Sequence, residues 1–191
     1  MVKVLIETGR SWHWASALDQ PGWCRRGKGE EAAIEELLAY AERYARVVPG
    51  TSAGKVVVVD RVEGPPMNEW APSVAGPDED ARPTSKQLDA LSSCWQAFDK
   101  AVAGSAEVLT KGPRGGGRDR DKIVGHVREA ERAYARKIGV RLPPRTPWEE
   151  QRAAILDGLR KPDGPWLPRY AVRRIAWHVL DHAWEIEDKQ P

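Results

Sequence analysis

Apolar and polar positions alternate with the short period of strands in the N-terminal third of the chain, and with the longer period of helices in its second half. Residues 2–8, VKVLIET, have strand composition. In residues 11–18, SWHWASAL, Trp12, Trp14 and Ser16 fall on one face and His13, Ala15 and Ala17 on the other. Gly9 and Arg10 between these runs suit a tight turn. After the break at Pro21 and Gly22, residues 23–26 predict a short third strand. Gly29 then precedes a helix whose apolar stripe is Ala33, Leu37, Tyr40, Ala41 and Tyr44, and Pro49 with Gly50 ends it. Residues 55–62, KVVVVDRV, predict a last, well-buried strand. The order is β-β-β-α-β over residues 1–63, with one helix expected on one face of a small sheet.

Residues 64–83 are rich in Pro, Gly and acidic side chains without a sustained period, which predicts an interdomain linker. Residues 84–191 turn helical. Four segments are expected, at 84 to about 109, 121–138, 147–160 and 168–188, with Thr84 as an N-cap and Gly139 and the Pro162/Gly164 pair as terminators. The predicted fold class is therefore α+β: a small N-terminal domain, then a C-terminal antiparallel four-helix bundle. One connection, KGPRGGGRDR, reads as a flexible basic loop and matches no phosphate-binding pattern.

With 191 residues, 41% of them hydrophobic, the chain can bury a core. No apolar run approaches the ~20 residues of a membrane span, and the first residues read as a strand, so a cytoplasmic protein without a membrane partner is expected. Residues 1–80 hold 9 Lys and Arg against 13 Asp and Glu, whereas residues 81–191 hold 21 against 15. Neither imbalance accompanies a nucleic-acid motif, so none is expected as a partner, while the basic second half suits an anionic small molecule. Cys24 and Cys94 match no paired spacing and are expected as reduced thiols. Nine tryptophans against one phenylalanine is a bias that composition does not explain.

The chemistry concentrates in two helices. In IAWHVLDHAWEIED, His178 and His182 stand four apart, so their imidazoles can meet one ion. Alone the spacing is weak, because HxxxH also arises by chance. In IVGHVREAERAYARKIG, however, His126 lies on the stripe Ile123, His126, Ala130, Ala133, Tyr134, the face expected to point into a bundle. Three imidazoles from two helices can hold a divalent ion with a position left for water or substrate. Glu129, Asp181 and Glu185, each three residues after a histidine, read either as ring-orienting or acid/base groups or as a solvated helix face. Arg174, one turn before His178, reads either as a clamp for an anionic substrate or, with Arg173, as a solvated helix start.

These same segments resemble the DinB/YfiT-like superfamily, four-helix bundles that bind a metal through one histidine on the second helix and an HxxxH pair on the last. The resemblance covers residues 84–191 and implies His126, His178 and His182 as ligands of Zn²⁺ or Ni²⁺. It also implies a homodimer and metal-dependent transfer of a low-molecular-weight thiol, or water, to a small electrophile. VLIETG with WASALDQPGWCRRGKGEEAAIEELLAYAERYA is similar to HicB-like domains, which implies a toxin-binding antitoxin role; the reading preferred over it is a structural or regulatory accessory domain. A non-catalytic metal-binding or interaction protein is the rival to the enzyme.

Overall fold

In the computed structural model, residues 1–65, 69–112 and 117–191 are described; parts of the predicted linker and of the basic glycine loop lie outside them. Strand β1 (Val2–Thr8) is central, pairing antiparallel with β2 (His13–Ala17) and parallel with β4 (Val56–Glu63), while β3 (Cys24–Gly27) pairs with β2, for an order β3-β2-β1-β4. Helix α1 (Glu30–Ala39) and helix α2 (Ala41–Val47) replace the single predicted helix. They split at Tyr40, yet Ala33, Leu37, Ala41 and Tyr44 are all buried, as the stripe requires. These residues share a core cluster with Val2, Val4, Ile6, Ala15 and Ala17, the face that β1 and β2 turn toward them. Trp23 fastens the layer, its Nε1 donating to the Leu37 carbonyl at 2.7 Å and its ring stacking on Tyr44 at 5.4 Å.

The expectation of a well-buried β4 is corrected. It is an edge strand, half-buried to exposed along its length, and the register shifts between Val4 and Leu5 so that Val59 is skipped. A run of valines reads alike in the centre and at the edge of a sheet; the charged pair Asp60-Arg61, with Arg61 bound to Glu30, marks it as an edge.

The second face of the sheet is covered by residues of the predicted linker and by α6 (Pro168–Asp188). The buried Glu7 carboxylate accepts from the Ser73 amide (2.8 Å), the Ser73 hydroxyl (2.9 Å) and the Val74 amide (3.1 Å). Gly76 passes so close that an added Cβ would lie 3.0 Å from Leu18 and 3.3 Å from Leu5. Five residues after Val74, Glu79 meets Arg173 of α6 in a two-bonded pair, Nε to Oε1 at 2.7 Å and Nη2 to Oε2 at 2.8 Å, with both side chains almost fully buried. Arg173 is thus no solvated helix start. The segment is a strap clamped between sheet and helix.

Helices α3 (Ser85–Ala103), α4 (Arg120–Lys137) and α5 (Trp148–Arg160) pack with α6. Thr84 caps α3 in a reciprocal capping box with Gln87, and the helix stops at Ala103, short of the predicted end. Fourteen of the 21 residues of α6 are buried, so it is the axis of the second half. The chain reverses after α4 at Gly139, whose φ of 86° only glycine adopts cheaply. One continuous cluster of buried residues runs from the sheet through α3–α6. Of the nine tryptophans, only Trp70 is exposed; the others are fully or partly buried, which places the bias in the core and not at a tryptophan-rich surface.

Removing one partner of the Arg173–Glu79 pair leaves an uncompensated buried charge. We expect Glu79→Ala to cost about 3–5 kcal/mol in urea unfolding, and a Glu79→Leu/Arg173→Met double variant to cost less than that single change. A single-variant loss below about 1 kcal/mol would show that the pair does not hold the strap.

Candidate metal centre

On α4 the fully buried stripe is Ile123, Val127, Glu131 and Ala135, one position away from the predicted one, and Ala133 is exposed. The offset arises because the true inward stripe contains a charged residue, Glu131, which hydropathy does not mark. Glu131 accepts from Trp148 Nε1 at 2.5 Å and Gln151 Nε2 at 3.3 Å, stitching α4 to α5, and burial raises its pKa. His126, Ala130 and Tyr134 flank this stripe, half-buried.

Packing of α4 on α6 brings His126 against both histidines of the HxxxH pair. His126 Nε2 and His178 Nε2 lie 3.2 Å apart, and one donor atom from each of the three rings falls within 4.8 Å of the other two. His178 is 7% exposed and His182 sits at the margin. His182 Nδ1 is 2.7 Å from Glu185 Oε2, an arrangement that puts the proton on Nδ1 and frees Nε2. Lys189 Nζ bonds the other Glu185 oxygen at 2.6 Å. The hydrogen bond from His182 is the chief cause holding the Glu185 carboxyl down at about 2, against the opposing effect of burial.

Burial is also the main reason the pKa of His178 lies well below the ordinary histidine value, with His182, Arg174, His126 and Arg118 adding repulsion. His126 is lowered by burial first, then by His182 and Arg118. Both rings therefore keep free lone pairs at neutral pH. Two nitrogens sharing an ion at about 2.1 Å, with an angle near 100°, stand about 3.2 Å apart. The triad His126, His178, His182 could hold a metal ion.

Around it the walls are aromatic. The Tyr134 ring meets His178 edge-on at 5.5 Å and packs on Trp166 at 5.2 Å. The Arg174 guanidinium lies over Tyr134 (5.2 Å) and Trp177 (4.7 Å), and its Nη1 is buried without a hydrogen bond among the described residues. Arg174 is thus a cation held beside the site by stacking.

Of the three acids marked by spacing, Glu185 alone bonds an imidazole. Asp181 pairs with Arg25 of β3 at 3.0 Å, and Glu129 is an exposed partner of Arg132 at 3.1 Å. Tyr134 was on the predicted stripe, but Trp166 and Lys189 carried no signal, since one lies in a connection and the other beyond the helix. Both cysteines are buried free thiols whose pKa values rise through burial, that of Cys24 to about 12, which favours the protonated form at neutral pH. No helix among the described residues is long and apolar enough to cross a membrane. No family model, curated protein or solved structure matches the chain.

The folded chain holds His126 and His178 neutral, whereas the unfolded chain protonates them near about 6.5. The metal-free protein therefore has its full stability above that pH and loses it progressively as the pH falls below it. Urea midpoints between about pH 7.5 and about pH 5.5 should drop less steeply for His178→Gln than for the wild type. Parallel slopes would contradict a neutral buried His178.

Proposed function

We propose that the chain is a metal-dependent enzyme of the DinB-like kind, with His126, His178 and His182 holding Zn²⁺ or Ni²⁺ and a low-molecular-weight thiol, or water, transferred to a small electrophile. The observation that carries the reading is the facing pair of neutral imidazole nitrogens 3.2 Å apart, with the third ring beside them. Imidazole donors suit Zn²⁺ and Ni²⁺, and three of them leave room for an exogenous ligand. A divalent ion at this position supplies Lewis acidity that lowers the pKa of a thiol or water near it.

The chain's own residues do the rest. Glu185 fixes the tautomer and direction of His182 and is itself fixed by Lys189. Tyr134 and Trp166 shield His178 from solvent and keep the local dielectric low. Arg174, a partly exposed cation close enough to His178 to repel its proton, draws an anionic group of the substrate toward the centre. The N-terminal layer acts as an accessory that steadies α6, through Arg25 on Asp181 and Trp14 edge-on to Trp177 at 5.2 Å.

Metal content by mass spectrometry on untagged protein tests the premise. About one ion per chain is expected in the wild type, and loss of it in His126→Ala. A wild type that takes up neither Zn²⁺ nor Ni²⁺ on incubation would refute the metal site. In the metal-loaded protein, Arg174→Met should raise KM for an anionic electrophile about tenfold at unchanged metal content. An unchanged KM would remove Arg174 from substrate binding.

A further inference from the structure

A second site lies on another side of α6. Helices α2, α3 and the end of α6 enclose a cleft of about 550 Å³, within the roughly 300–1,000 Å³ typical of small-molecule pockets. Its apolar lining comes from Val47, Ala97, Ala101 and Trp184.

The charges around it are unequal in their freedom. Arg43 is held by α6, with Nη2 2.7 Å from Glu187 and 2.8 Å from Asp188, and the first of these bonds engages the one carboxylate that lines the cleft among the described residues, Glu187. Arg46 on α2 and Lys100 on α3 also line it, and neither has an ion pair or side-chain hydrogen bond among the described residues. Two unpaired cations over an apolar floor outweigh the single negative charge left on the Arg43–Glu187–Asp188 cluster, so the rim of the cleft is net positive, which selects against cations and gives a neutral ligand no advantage. The geometry points to a binding site for a small amphipathic anion, an apolar body lying on Ala97 and Val47 with its acidic head between Arg46 and Lys100. The guanidinium fork suits a carboxylate, and the ammonium adds a point charge. The site shares no residue with the histidine centre and stands whether or not that centre holds a metal.

Fluorescence titration of the full-length protein with 1-anilinonaphthalene-8-sulfonate, followed by displacement with decanoate or decanol, tests this. Saturable binding that weakens with salt is expected, with displacement by decanoate and not by decanol at equal concentration. An Arg46→Glu/Lys100→Glu variant should bind about tenfold more weakly or worse. Ala97→Trp, which fills the floor and leaves the charges in place, should do the same, and His126→Ala should bind as the wild type does. Near-ultraviolet circular dichroism checks that each variant is folded. Equal displacement by decanol, or unchanged binding in either cleft variant, would overturn the proposal.

Discussion

A single buried charge pair governs how the two halves of this chain meet. Arg173 and Glu79 cost desolvation free energy to bury, and their two short bonds to each other, with one from Arg173 to the Val74 carbonyl and one from the Gly76 amide to Glu79, offset it. Such a pair tolerates little displacement, since an ångström of slip would leave a charge without a partner. It therefore fixes the strap, and the strap in turn fixes the distance and rotation of α6 against the sheet. Glu7, Arg25 and Trp14 reinforce the same placement from the strand side.

The candidate metal centre inherits that placement. Two of its three histidines belong to α6, and the third reaches them only because α4 packs on the same helix. Burial withholds protons from His126 and His178, and a carboxylate held ionised by two partners directs His182. Donor groups are thus preset by packing as much as by residue type.

The histidine triad was legible in the sequence because helical spacing is a strong local constraint: four residues bring His182 over His178, and His126 lay beside the apolar stripe of its helix. Strands, caps and terminators were legible for the same local reasons, from the alternation around Trp14 to the capping box at Thr84. What spacing did not separate was the roles of the acids. Glu129, Asp181 and Glu185 stand at identical offsets from a histidine, and their fates were decided by Arg132, Arg25 and Lys189 respectively. Arg173 looked like a solvated helix start because its partner lies 94 residues earlier, in a stretch whose composition suggested only a linker. The exposure of β4 was hidden as well, since local sequence does not state which strand ends a sheet.

Helix α6 faces a different neighbour at almost every step. Arg173 addresses the strap, Arg174 the aromatic wall, Trp177 the sheet, His178 and His182 the histidine cluster, Asp181 the third strand, and Trp184 the cleft beside α2. Each residue added or removed turns everything beyond it by about 100°. A one-residue deletion between Arg173 and Trp177 would send an imidazole to the sheet, and an insertion there would send an indole to the histidine cluster. The length of this helix is therefore the feature a lineage carrying the protein could least afford to vary, and drift in chain length would accumulate in its connections.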